Sequence, residues 1–598
     1  MDKWKQLIDA GAEARRKEDY SKAESLIKEA LALAEGFGPS DERLATTLNR
    51  LALIYDDLEK YSDAEPLYQR AISILEKTLG PDHPDVAVIL SNLAGLYDGQ
   101  DNYAEAEQLY KRALAIRVKA PKPDHLDVAT TLGDLAWLCQ RQKRYLDAEP
   151  LYQRALAIRE KAMGPDHLDV AETLGDLAFL YRRQSRYLDA EPLYQRVLAI
   201  REKAMGPDHL DVATTLGDLA WLYQLQDRYL DAEPLYKRAL AIREKALGPD
   251  DPQVAGVLNN LAGLYQDQGK YVEAEEHYKR ALAIDEKALG LEHPDVGRDV
   301  HNLALACYDQ GRLSEAENHF TRALAVREIA LGKDHLDVAA TATSLARIFD
   351  DQYRYDYAEP LYERALAIRE KALGSDHPRV ATALMNLAGV IHGSARDPEK
   401  EGLLKRALAI REKALGPEHP NVASSLSSLA ILYDLQKKFA EAEPLYLRAL
   451  AIDEKVSGPD HPNVAIGLSN LGSHYEDQAK YSKAEQFYKR ALAIREKARG
   501  ADHPEVVSNL LDLAGVYDAL KKYSWAEPLY KRALAIREKV YGMEHAEVVK
   551  ILDKFADHLR KRNRTAEAEK LEARAAEFRS KLDYTDLQTK DDLMWREE

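Results

Sequence analysis

The sequence predicts an all-α solenoid, an array of stacked helix pairs. Three observations predict it: a repeat of 42 residues, apolar positions at helical spacing inside each repeat, and helix-stopping residues between helices. The segment AEPLY or a close variant places its alanine at 64, 106, 148, 190, 232, 274, 316, 358, 442, 484, 526 and 568, always 42 residues or a multiple apart. Lys400 keeps the phase within an irregular stretch, and an earlier copy at Ala23 lies 41 residues before Ala64. Fourteen units, about 28 helices, are expected over residues 1–577, with an acidic tail at 578–598.

Taken in order, each unit reads as two helices and two punctuation marks. Leu174, Leu177, Ala178 and Tyr181 follow i, i+3, i+4, i+7 and form the apolar stripe of a first helix. Ala190, Leu193, Tyr194, Val197 and Leu198 form the stripe of the second. Between the two helices of an earlier copy, Ser62-Asp63-Ala64-Glu65 reads as a capping box, with Pro66 near the end of the first turn. Ser21, Ser314, Ser482 and Ser524 repeat that box. After the second helix, Gly80-Pro81-Asp82-His83-Pro84 supplies a glycine stop and a proline-constrained restart. Two helices of this length cannot bury a core alone, so neighbours must stack. Lys400, Gly402 and Leu404 replace the usual Ala, Pro and Tyr, and Gly393 precedes them. The second helix there is expected to pack weakly and to make a hinge over 391–404.

Composition narrows the function. The chain of 598 residues is 45% hydrophobic and 31% charged, too charged for a membrane span and too apolar for disorder. Its net charge of −17 opposes general attraction to nucleic acid or anionic lipid, so neither is an expected partner. Cys139 and Cys307, 2 cysteines in all, fit a reducing compartment and small buried packing roles. The N-terminus has no apolar signal region, and the expected location is cytoplasmic.

Tests for chemistry return structural readings. Histidine stands at 83, 125, 167, 209, 293, 335, 377, 419, 461, 503 and 545, one per repeat in the helix-restart turn, with no second ligand at metal-site spacing. Gly263 to Gly269-Lys270 has the wrong spacing for a phosphate loop, and no strand precedes it. No nucleophile and base stand at a distinctive spacing, so neither catalysis, nor a cofactor, nor a metal is expected.

Leu219-Ala220, Tyr223, Tyr229, Ala232, Tyr236 and Ala239 fall at the spacing of the tetratricopeptide repeat, but with a period of 42. The phrases ALAIREKALGPEHPNVA, from Ala407, and LNNLAGLYQDQGKYVEAE, from Leu258, resemble the kinesin-light-chain type of that repeat. The resemblance covers nearly the whole chain. It implies a right-handed superhelix whose first helices line a concave groove for extended peptides or partner helices. The repeats begin almost at Met1, without the heptad coiled coil of a true kinesin light chain, so a motor role is not expected.

Residues 144–185 and 186–227 differ at only six of 42 positions: Ala155/Val197, Glu172/Thr214, Phe179/Trp221, Arg182/Gln224, Arg183/Leu225 and Ser185/Asp227. Five lie on or at the end of the first helix. At 100° per residue, Glu172, Phe179, Arg182 and Arg183 share a sector largely opposite the core stripe. Neutral drift on an exposed face would also place differences there. Trp137, Phe179 and Trp221 occupy one repeat position in three consecutive copies, either as anchors for a ligand or as packing against their own second helices. Gly133, Gly175 and Gly217 would leave room beside them, and Asp134, Asp176 and Asp218 would favour a ligand with basic neighbours.

In the resemblance, asparagines at that Asp position hold peptide backbone, which implies Asn92, Asn260, Asn302, Asn386 and Asn470 as candidates. Asp at 134, 176, 218 and 512 departs from the family's preference for acidic cargo peptides. Asn259, Arg298, His301 and Arg347 are further candidates nearby. The tail carries Leu593, Met594 and Trp595 among acids. It either docks in a groove, in the same molecule or another, or serves as a disordered solubilising end. The expected function is a non-catalytic scaffold or adaptor that binds protein or peptide. The alternative is a regulator whose groove takes a signalling peptide or small molecule and changes superhelical shape.

Overall fold

The computed structural model describes residues 3–119, 126–543 and 545–581. Those residues form 28 α-helices, one short 3-10 turn at Ser394–Arg396, and no strand. Cα packing divides the chain into two compact units, Met1–Ala288 and Leu289–Glu598.

Within the first unit each repeat is a pair of antiparallel helices, as in Leu168–Arg183 followed by Tyr187–Met205. The core stripe is as expected: Leu174, Leu177, Ala178 and Tyr181 are buried, and Ala190, Tyr194 and Val197 meet them from the second helix. Alanines 64, 106, 148, 190, 232 and 274 are fully buried on the second helices. A small side chain there leaves room for close packing of the helix against its neighbours.

The periodic histidine has a local role that its spacing alone did not disclose. His167 precedes the first helix in extended conformation, and its Nδ1 accepts the Asp169 backbone N–H at 3.1 Å. His83, His209, His293, His335, His377, His419, His461 and His545 cap their helices in the same way. Asp41 and Asp251 substitute a carboxylate for the imidazole. Each cap satisfies one of the orphan N–H groups of a helix start.

The second helix begins differently from the expected capping box. Ser62 lies inside the helix Tyr61–Thr78, whose N-cap is Lys60 and which has no side-chain cap. Ser314, Ser482 and Ser524 likewise lie inside their helices. Ser21 follows Asp19, whose carboxylate is the actual cap, accepting from Lys22 N–H at 3.2 Å. The reason is the tightness of the turn. A left-handed residue, Glu59 at φ 57°, folds the chain back so that the Lys60 N–H bonds the Tyr55 carbonyl at 2.8 Å. This leaves the serine two residues past the N-cap, too deep to cap. In many copies an arginine holds the N-cap position. Arg186 lies 4.1 Å over the Tyr181 ring and bonds Glu149 at 2.7 Å and Asp189 at 2.8 Å.

Neighbouring repeats are fastened by brackets that recur with the period. Arg159 donates to the Asp169 carbonyl at 3.1 Å and Thr173 Oγ1 at 2.6 Å. Arg201 does the same to Asp211 and Thr215, at 3.1 and 2.8 Å. Each ties the end of one second helix to the first turn of the next repeat. Arg196 pairs with Glu160 at 2.7 Å and Arg238 with Glu202 at 2.6 Å along the second helices.

The second unit follows the same plan, from Pro294–Asp309 to Thr565–Lys581. Its irregular copy, where weak packing and a hinge over 391–404 are expected, keeps its second helix. Asp397–Leu415 is a complete helix of 19 residues with Leu404, Ala407 and Ile410 buried. The irregularity lies in the first helix, Pro378–Val390, shortened to 13 residues and followed by the 3-10 turn. Lys400 replaces the usual alanine, and its Nζ donates to the Ile391 carbonyl at 3.3 Å. The long amine thus bonds the C-cap residue of the shortened helix.

Candidate ligand-binding face

The three predicted aromatics stand on first helices of consecutive copies in the first unit. Trp137 and Trp221 are each 46% exposed, and Phe179 is half-buried. The indoles therefore present surface to solvent. A Cβ added at Gly133, Gly175 or Gly217 would meet nothing within 4 Å, so the room expected beside the rings is present.

Asp134, Asp176 and Asp218 sit beside them, half-buried. Burial pushes the carboxyls of Asp134 and Asp176 up to about 6. Asp218 is also raised by burial, against the pull of nearby Arg182, whose Nη1 lies 3.6 Å away.

Arg182 is a residue whose role the sequence did not assign. It is only 6% exposed, and its guanidinium centre lies 4.8 Å from the Phe179 ring centroid and 4.0 Å from that of Trp221. Two rings from adjacent repeats thus hold one cation between them. Lys143, Tyr145, Arg182, Arg183, Trp221 and Leu225 line a cleft of about 360 Å³ at this point. Lys143 and Tyr145 come from the turn of one repeat, the arginines from the next, and Trp221 and Leu225 from the third. The signal was present in the six differences between near-identical copies, three of which build this wall. Their assembly across three repeats was not.

The asparagine series divides between the units. In the first, Asn92 donates to Asn49 at 2.9 Å and Asn260 is exposed. Asn259 does not belong to the presented face. It is 8% exposed, its Nδ2 donates to the Ala255 carbonyl, and one step of 100° around the helix separates it from Asn260.

In the second unit Asn302, Asn386 and Asn470 are half-buried, and Arg347 is exposed with its guanidinium 4.6 Å from the Tyr308 ring centroid. Arg298 is drawn into carboxylates of its own helix, Asp295 at 2.5 Å and Asp299 at 3.0 Å. His301 packs edge-on against Phe320 at 5.1 Å, and burial together with Arg327 pushes its imidazole down to about 3. It is neutral at physiological pH. Leu593, Met594 and Trp595 lie outside the described residues.

Cys139 and Cys307 are buried and form no disulfide, as expected of small packing residues. Among the described residues no group of three or more His, Cys, Asp or Glu side chains could hold a metal ion. No helix among them is long and apolar enough to cross a membrane.

Comparison with solved structures gives similar repeat proteins. The nearly identical TPR-like repeats of a Podosopora anserina protein named as a kinesin light chain are 30% identical, with 34% of this chain and 97% of theirs covered and a TM-score of 0.32. BtubC (BKLC) from P. vanneervenii is 26% identical over 42% of this chain and 91% of its own, with a TM-score of 0.33. The Cut9-Hcn1 hetero-tetramer of the APC/C is 13% identical over 94% of this chain and 97% of its own, at a TM-score of 0.39. No curated protein matches the chain. The tetratricopeptide repeat profile matches successive segments from 10–77 to 506–581, and a second profile of that name matches 380–421. With helix pairs stacked in register and matches along most of its length, the chain belongs to the tetratricopeptide repeat family.

Proposed function

We propose that this chain is a non-catalytic scaffold or adaptor of the cytoplasm that binds a protein or an extended peptide along the exposed face of its first helices. One observation carries the reading. Trp137 and Trp221 expose 46% of their surface from a non-core face, in copies where small residues would have served the fold equally well. Gly95, Gly263, Gly389 and Gly515 stand at the equivalent position elsewhere. Phe179, Asp134, Asp176 and Asp218 complete the aromatic part of the face. The asparagines at 92, 260, 302, 386 and 470 and Arg347 supply polar positions in the two units. The tail segment with Leu593, Met594 and Trp595 is a further peptide this face would accept.

The test is affinity capture from native lysate with the intact chain and with Trp137→Ala/Phe179→Ala/Trp221→Ala, after circular dichroism verifies that both fold. Partners lost selectively from the variant are expected. Identical capture by both proteins would remove the aromatic face from the proposal.

A further inference from the structure

We propose that the cleft lined by Lys143, Arg182, Arg183, Trp221 and Leu225 receives a phosphotyrosine side chain of a partner peptide. The inference rests on the peptide-binding reading and names the ligand chemistry for one part of that face.

Charge comes first. Three cations line the cleft, and the carboxylate that faces one of them is Asp218, 3.6 Å from Arg182. Lys143 and Arg183 are exposed and have no ion-pair partner among the described residues. This is unlike the second-helix arginines Arg186, Arg196 and Arg228, each paired with a carboxylate. The surplus of two positive charges matches a phosphomonoester, which carries about −1.5 to −2 at pH 7. A single carboxylate would leave one cation unmatched.

Donor geometry is the second observation. Arg182 is more than nine-tenths buried, and its Nη1 is buried without a hydrogen-bond acceptor. That Nη1 faces Asp218 at 3.6 Å, and the charge of the guanidinium, which lines the cleft, favours an oxyanion seated beside it. Phe179 and Trp221 hold the guanidinium from two sides, so the donor is oriented before the ligand arrives.

The walls give the third. Tyr145, Trp221 and Leu225 offer aromatic and apolar surface beside the cations, which suits an aromatic ring bearing the phosphoryl group.

The repeat itself supplies a control. One period later the residues equivalent to Lys143, Arg182, Arg183, Trp221 and Leu225 are Ser185, Gln224, Leu225, Gly263 and Asp267, with no cation among them. The same fold tolerates both sets.

The experiment titrates the full chain with phenyl phosphate, inorganic phosphate and benzoate by calorimetry at pH 7.5. The variant is Arg182→Gln/Arg183→Leu, which installs the side chains that the next copy already holds. Phenyl phosphate is expected to bind saturably and at least about tenfold tighter than either other probe, and the variant to lose at least about tenfold of that affinity. Arg183→Leu alone, at an exposed site, repeats the test if the double variant loses helicity. Equal affinity for the three probes, absence of saturable phenyl phosphate binding, or binding unchanged in the variant would overturn the inference. Selective capture of partners through the aromatic face could survive that result, so the two readings fail separately.

Discussion

The carboxylates on the first-helix face and those along the turns and second helices respond to the fold in opposite ways. Asp134 and Asp176, among the first helices, are pushed up to about 6 by burial. Asp166 and Asp208, in the turns, are held below the usual range by hydrogen bonds from Lys203 and Lys245. Glu107, on a second helix, is lowered by Arg144 and Lys111. The residue chemistry is the same, and the difference is desolvation in the first case and a hydrogen-bonding cation in the second. The bracketed, paired rows are where successive copies are alike, because they set how one repeat sits on the next. The first-helix face is where copies 144–185 and 186–227 diverge. It is the face on which the proposed ligand would bind.

The largest expected effect breaks the bracketed side. Arg201→Ala removes the hydrogen bonds to the Asp211 carbonyl and Thr215 Oγ1, and is expected to destabilise that repeat junction by about 2–3 kcal/mol. Hydrogen exchange should accelerate in Leu210–Gln224 first, and unchanged protection there would show that apolar stacking alone holds the junction.

A smaller effect of opposite sign belongs to the first-helix face. In Asp134 and Asp176 the folded state binds protons more tightly than the unfolded chain, so their contribution to stability rises as pH falls from about 6 towards 4 and is unfavourable above 6. Asp134→Asn/Asp176→Asn should therefore stabilise the first unit at pH 7.5 by about 1 kcal/mol per site after solvent screening, with the gain vanishing near pH 4. Denaturant titrations at the two pH values measure it. A gain independent of pH would break the assignment of the shift to burial.

The smallest effect sharpens the contrast within the paired rows themselves. Lys203→Ala breaks the exposed pair with Asp166 and should leave thermal unfolding unchanged, because both side chains are well solvated. A clear loss would mean that these exposed pairs act as a linked network.

Much of this was legible in the residues, and particular cases show where legibility ended. The stripe Leu174, Leu177, Ala178, Tyr181 was readable because helical periodicity is a property of one short segment. Ser62 was misread as a cap because the turn that places Lys60 at the N-cap depends on Glu59 adopting a left-handed conformation, which glutamate rarely does. Lys400 reads in the sequence as a break in the pattern, and only the fold shows its amine reaching the carbonyl of Ile391, the C-cap of the preceding helix. Asn259 and Asn260 looked equivalent as neighbours, but one turns into the core and the other outward.

By itself the sequence determined the number of units, their period, the two helices of each unit and the core stripe that they bury. These follow from local propensity and from a pattern repeated often enough to average out its exceptions. Only the tertiary structure decided which free-face residues meet. Arg182 reaches Trp221, and Lys143 reaches the same cleft, because three repeats stack with a fixed offset. The arginine brackets between repeats tie that offset, and no single segment contains it.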